Sequence, residues 1–238
     1  MKDHHVEGGF VAPKCEEFFD ILYQDEDILL INKPSGLLSL SGKNPLNLDS
    51  VHYRLVYGQE GVTEAFPGAI LPHRLDFGTS GVMAVGLHAA SAKRLNRQFQ
   101  DRLVKKEYVA MLDGWVADDV GSISAAIAKD RECFPRVKIC EETGKRAVSE
   151  YSVINRFDHP RGRRSLVKFS PLTGRTHQLR IHSQVLGHPI LGCDLYQNDQ
   201  SEATADRLML HASDLYIEHP ASGELVHGLS ECPFEECN

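Results

Sequence analysis

The sequence predicts an α+β protein with a mixed, largely antiparallel central sheet and flanking helices and loops. Short apolar and β-branched runs bounded by Gly, Pro, Asn and Ser recur along it, helical periodicity is confined to a few segments, and the two do not alternate as in βαβ proteins. At 238 residues, 42% hydrophobic and 25% charged, the chain is long enough to bury a substantial core. It shows no internal repeat and no low-complexity linker. We therefore expect a tail over residues 1–17 followed by one domain over 18–238.

FFDILYQ and ILLINK, separated by Asp25, Glu26 and Asp27 and closed by Pro34-Ser35-Gly36, predict a hairpin. Residues 40–68 suit a surface connection with a short helix over Val51–Tyr57. From Ala89 to Leu103 the apolar Ala92, Leu95, Phe99 and Leu103 recur at helical spacing and leave Lys93, Arg94 and Arg97 on other faces, which predicts an amphipathic, basic helix. Lys106–Leu112, Arg146–Phe157 and Ser165–Ser170 have strand propensity, and Glu141–Lys145 suits a turn. Thr176–Leu186 predicts a helix stopped by Gly187 and Pro189, and Arg207–Ile217 a last strand before a loop.

The net charge of -7 argues at first against a polyanionic partner. Its distribution argues the other way. Residues 1–31 hold eight acids against two bases and residues 199–238 nine against one, whereas 161–182 carry six Arg or Lys and no acid, and 93–106 six against the single Asp101. Either basic run alone is most simply a solvated face. No apolar run is long enough to span a bilayer, and MKDHHVEGGF lacks the pattern of a signal peptide, so a cytoplasmic monomer is expected. The six cysteines form no CxxC pair and no zinc-finger spacing, as suits reduced structural thiols.

The most informative stretch is HRLDFGTSG, His73 to Gly81, a polar cluster between two apolar segments. Gly78 and Gly81 permit a tight backbone around Asp76, which suits a carboxylate displayed on a loop at a sheet end. Asp followed by Gly, Thr and Ser is also ordinary turn chemistry, and the residues alone leave both open. Other patterns dissolve. Gly36–Lys43 would need glycine at Leu37 and Ser or Thr at Asn44 to make a P-loop, His177 and His182 are five apart with no acidic third ligand, and Gly78-Thr79-Ser80-Gly81 is not a nucleophile elbow.

HRLDFGTSG resembles the HRLDxxTSG signature of the RluA-type pseudouridine synthases at every fixed position. YQDEDILLINKPSGLL, KKEYVAMLDG, PLTGRTHQLRIH, LGHPILG and LMLHA are similar to further family blocks in the expected order, so the resemblance covers about residues 18–230. It implies the pseudouridine synthase catalytic fold and isomerisation of uridine in structured RNA without metal or nucleotide cofactor. It also implies that Asp76 is the essential carboxylate, that Arg180 pairs with it, and that Tyr108 stacks on the uracil and relays a proton. By the same resemblance Arg74 is expected to fill the place of the flipped base, and His73, Thr79, Arg175, His177 and Leu179 to complete the substrate-binding set. For Arg74 a plain phosphate contact competes, for Arg180 a surface phosphate contact, and for Tyr108 a place in the core.

The segment before Phe18 is too short for the S4 RNA-binding domain of many relatives. That points to the compact branch, whose substrates are a 23S rRNA stem-loop and the tRNA anticodon stem-loop. The family often has Asp directly after the glycine of HPILG. Here Cys193 intervenes before Asp194, a departure expected to affect local structure rather than chemistry. Competing functions are a catalytically silent RNA-binding or RNA-remodelling protein on the same fold, a synthase for a different tRNA site, and a carboxylate glycosidase, which needs a second positioned acid not evident here.

Overall fold

The computed structural model describes residues 10–42, 44–58, 63–133, 135–196 and 205–234. It divides the chain into two compact units, Met1–Val104 with Leu215–Ser230, and Lys105–Asp214 with Glu231–Asn238.

In the first unit β1 (Asp20–Gln24) and β2 (Ile28–Lys33) form the expected hairpin. Asp25 Oδ1 closes its turn by accepting the N–H groups of Asp27 and Ile28, both at 2.8 Å. β2 pairs antiparallel with β3 (Ser80–Gly86), Ile28 opposite Gly86 and Lys33 opposite Gly81. This register sets Lys33 beside the loop that leads into β3. Both strands are almost wholly buried, which is why they read as apolar runs rather than alternating ones. α1 (Val51–Tyr57) is capped by the Ser50 hydroxyl, which accepts the Tyr53 N–H at 3.1 Å.

α2 (Ala89–Gln100) packs Leu95 against Ile28, Leu30, Val82 and Ala84. It stops at Gln100 rather than continuing to Leu103 as expected. Arg102 adopts φ 60°, which turns the chain out of the helix, and Leu103 is left 64% exposed. Its spacing from Phe99 was a coincidence of sequence, since a left-handed residue between them cancels the helical phase.

Residues 10–17 of the expected tail are tied down. Asn47 exchanges hydrogen bonds with Ala12 N–H and Phe10 C=O at 2.8 Å each, and the buried Arg54 reaches the carbonyls of Cys15 and Glu17 at 2.6 Å each while forking onto Asp49.

In the second unit the strand order is β4 (Lys105–Asp113), β8 (Gly162–Pro171), β7 (Lys145–His159), β5 (Val120–Lys129) and β6 (Val137–Ile139), every pair antiparallel. The sequence predicted neither β5 nor β6. α3 (Gln178–Val185) lies on one face, where Leu179 and Ile181 share a core with Ala110, Leu112 and Phe169. Val109 and Met111 point the other way, to Leu166, Leu191 and Phe234.

β9 (Leu210–Glu218) gives its first five residues to the second unit and its last four to the first. β10 (Leu225–Leu229) pairs with it where a loop was expected. Apart from an isolated parallel bridge between Leu38 and Ser50, the pairings named here within the units are antiparallel, as the predicted fold class requires. No helix among the described residues is long and apolar enough to cross a membrane.

Candidate active site

The first unit carries His73, Arg74, Asp76 and Thr79 on the loop entering β3. Asp76 is half-buried and Arg74 exposed. The loop is irregular rather than strand-like, so Arg74 does not take its direction from a strand repeat. A turn closes from Thr79 N–H to Asp76 C=O (3.1 Å), and the Pro34–Ser39 segment braces the loop from the other side.

Gly36 N–H donates to Phe77 C=O (2.9 Å), Ser35 Oγ to Gly78 C=O (2.7 Å) and Ser39 Oγ to Leu75 C=O (2.7 Å), while Leu75 N–H returns a bond to Ser39 Oγ (3.1 Å). Lys33, fully buried, donates to the carbonyls of Pro34 (2.8 Å), Leu37 (2.7 Å) and Phe77 (3.3 Å). Main-chain bonds therefore hold the residues on both sides of Asp76. The pattern KPSGLLS carries this brace, and the sequence reading missed the roles of Lys33, Ser35 and Ser39 because the loop carbonyls they reach, Phe77, Gly78 and Leu75, lie about 40 positions away.

His73 is engaged inside its own unit. Its Nε2 accepts the Ala84 N–H at 2.9 Å, and its ring stacks on Phe99 at 4.4 Å. Thr79 is buried. His73 thus pins the loop to β3 and α2.

The second unit carries Tyr108 on β4, Arg175 and His177 on the loop before α3, and Leu179 and Arg180 on α3. Gln178 organises that loop. Its Oε1 accepts the Thr173 hydroxyl (2.7 Å) and Arg175 N–H (3.0 Å), and its Nε2 donates to Val148 C=O (3.0 Å) and Ser149 Oγ (2.9 Å). His177 sits at φ 53° with no side-chain cap. Its Nδ1 lies 2.9 Å from Tyr196 Oη, which also accepts the Val137 N–H (2.8 Å).

Arg180 is buried. It pairs with Asp194, donates through Nε to Cys193 Sγ (3.4 Å) and lies over the Tyr196 ring at 5.5 Å. The departure at Cys193 reaches Arg180 directly, since both residues of the altered pair touch it. Leu179 is buried in the core of its unit.

Residues 27–184 match the RNA pseudouridylate synthase family. The chain belongs to that family. It is 46% identical over 214 residues to the dual-specificity RNA pseudouridine synthase RluA of Yersinia pestis, covering 90% of this chain and 99% of the relative. It is 42% identical over 211 residues to the RluA of Escherichia coli K12, covering 89% and 92%. The solved structure of human RNA pseudouridylate synthase domain containing 1 superposes with a TM-score of 0.75 at 32% identity, covering 93% of this chain and 86% of that one.

The synthase spends much of the charge in its two basic runs internally. Lys168 and Lys105 both pair with Glu107 (3.3 and 2.9 Å), and partial burial, which alone would raise the Glu107 pKa, is outweighed by these lysines, so the carboxyl sits below its ordinary value. Arg163 meets Asp158 and lies over Trp115 at 4.5 Å, Arg94 reaches Pro220 C=O, and Arg97 pairs with Asp101 (3.3 Å).

Among the described residues one grouping has metal-like proximity, Asp25, Asp27 and His219, whose ligand atoms lie within 4.8 Å of one another. Its donor chemistry does not suit a cation. His219 Nδ1 accepts the N–H groups of Ala221 (3.3 Å) and Ser222 (3.1 Å), which leaves the proton on Nε2, aimed at Asp25 (2.9 Å). The neighbouring His88 repeats the arrangement, with Nδ1 capping α2 at Ser91 N–H (3.3 Å) and Nε2 facing Asp27 (2.8 Å). Both Nε2 atoms present N–H rather than a lone pair, so the carboxylates are already satisfied.

Proposed function

We propose that this pseudouridine synthase acts on uridines in a structured stem-loop of 23S rRNA, the tRNA anticodon stem-loop, or both, with Asp76 as the essential carboxylate. The observation that carries the reading is the braced Asp76 loop lying within the matched family segment, which holds one half-buried carboxylate on a fixed backbone. Preorganisation of this kind lets a group act without paying for its own ordering during the reaction. The reaction breaks the bond between N1 and C1′, turns the base, joins C5 to C1′ and releases the C5 hydrogen.

In this reading Asp76 assists departure and recapture at C1′, Arg180 supplies the positive charge the reaction calls for, and Tyr108 stacks on the base and takes part in proton removal. Arg74, exposed on the same loop as Asp76, holds the position vacated by the flipped nucleotide. The enzyme works as a cytoplasmic monomer.

Tritium release from 5-tritiated uridine in transcribed stem-loops tests the proposal, since only an isomerase displaces that hydrogen. Asp76→Asn should lower release at least a hundredfold while RNA affinity changes less than threefold, because the amide keeps the shape and loses the charge. Turnover above about a hundredth of wild type in that variant would sink the role of Asp76. Absence of release by the wild type would leave a silent RNA-binding protein as the function.

A further inference from the structure

The strand that presents Tyr108 opens with three charged residues of unequal fates. Lys105 and Glu107 share one face of β4, where Glu107 is also met by Lys168 from β8. Lys106 points to the opposite face, the face of Tyr108 and Ala110. Both carboxylate oxygens of Glu107 are thus taken by other lysines. Among the described residues Lys106 has neither an ion pair nor a hydrogen bond. It is half-buried, and dry surroundings alone push its pKa below that of an ordinary amine.

Its neighbour is Gly174. A Cβ built on Gly174 would lie 3.6 Å from Lys106 Nζ and within 4 Å of nothing else, so the ammonium borders open space over the backbone of the loop before α3. That loop is held in place beforehand, with Thr173 and Arg175 both fastened to Gln178. A cation drawn out of water without a counter-charge is costly. A rigid backbone with no side chain leaves an incoming group free to approach it.

We propose that Lys106 and the loop from Thr173 to Arg175 form an anion subsite that takes a backbone phosphate of the bound RNA, adjacent to the nucleotide that meets Tyr108. The proposal rests on the RNA-modifying function above. Lys106 and Tyr108 stand one pleat repeat apart, about 6.8 Å along the strand, so one strand segment addresses a nucleotide's backbone and its base together. The guanidinium of Arg175, whose Nε is fastened to Arg146 C=O at 3.3 Å, adds positive charge on the same loop. The free protein carries the ammonium uncompensated, and RNA supplies the missing charge.

The test uses Lys106→Met, which keeps the length of the side chain without its charge, and Lys106→Arg, which keeps the charge. Binding of a transcribed stem-loop is measured across a series of salt concentrations, and thermal unfolding of each protein is measured without RNA. Lys106→Met should weaken binding about five- to tenfold near 0.1 M salt and lower the log–log salt slope by about 0.7–0.9, the share of one phosphate contact. The same variant should unfold at a higher temperature than wild type, since it removes a desolvated charge.

Lys106→Arg should retain the wild-type slope. An unchanged slope and affinity in Lys106→Met, or a lower unfolding temperature, would overturn the subsite and make Lys106 a structural strut. Loss of the slope in the Arg variant as well would overturn the ionic contact. Tritium release by the wild type is read separately. Release without a Lys106 effect removes only the subsite, and a Lys106 effect without release removes only the assigned reaction.

Discussion

Lys33 at the end of β2 and His182 inside α3 are both fully buried bases, one in each unit, and the fold accommodates them in opposite ways. Lys33 faces three backbone carbonyls, which match the three donors of an ammonium. Among the described residues His182 has a single hydrogen-bond partner, Ser149 Oγ at 3.0 Å, which leaves its Nε2 without one, and burial drives its pKa down to about 4, so it is neutral. A buried base that ties segments together needs several acceptors, and main-chain acceptors cannot be lost by mutation of their own side chains. One that only fills the core can give up its proton instead. Lys106 is the intermediate case, desolvated without acceptors, and such a group calls for a ligand.

Breaking the first half of this comparison should have the largest effect. Lys33→Met leaves the carbonyls of Pro34, Leu37 and Phe77 without that donor, which should cost about 2–4 kcal/mol in urea unfolding and slow turnover by slackening the loop around Asp76. A loss under about 1 kcal/mol would show that the Ser35 and Ser39 bonds hold the loop alone.

Acid tests the second half. The folded protein resists protonating His182 while the unfolded chain takes up that proton near its ordinary value of 6.5. The stability from a neutral His182 is therefore complete above that pH and is lost as pH falls toward about 4. At about 1.4 kcal/mol per pH unit the loss approaches about 3 kcal/mol. His182→Gln should flatten this part of the stability profile, and an unchanged profile would place the acid sensitivity elsewhere.

The smallest stability effect belongs to the exposed partner of a buried charge. The Asp194 side chain is 68% exposed and that of Arg180 only 7%, so Asp194→Asn should change stability by less than about 1 kcal/mol. Its effect should appear in catalysis, with kcat reduced about three- to tenfold and RNA affinity unchanged as Arg180 loses one of its anchors. Asp194→Glu should recover part of the rate. A matching loss of affinity would mean instead that Asp194 shapes the RNA-binding surface.

What the sequence disclosed follows how locally each feature is determined. The hairpin of β1 and β2 was legible because turn residues and apolar runs mark it directly, and α1 because the stretch Val51–Tyr57 stands between segments rich in Gly, Pro, Asn and Ser. β5 was not legible. VGSISAAIAK is rich in Gly, Ser and Ala, which disfavour strands or are indifferent to them, and its conformation comes from pairing with β7 from Val120 opposite Ser152 to Ile127 opposite Lys145. In β10, LVHGL is too short to show a period.

Within the site, Asp76 and Arg180 stood out because fixed motifs surround them. The tie from Asp194 to Arg180, 14 positions apart, and the engagement of His73 with Ala84 and Phe99 are products of packing, which local patterns do not encode.

The shared strand β9 also bears on synthesis. A ribosome adding about 5–20 residues per second needs roughly 5–20 s to make Lys105–Asp214, and only afterwards do Leu215 and Ile217 emerge to join Leu30, Val82 and Leu95. The stretch from Ile28 to Leu95 leaves the ribosome early, and its apolar surface then stays uncovered while most of the other unit is translated. The part of the chain that holds Asp76 is thus begun first and closed late, and during that interval it is the segment most exposed to chaperones and to aggregation.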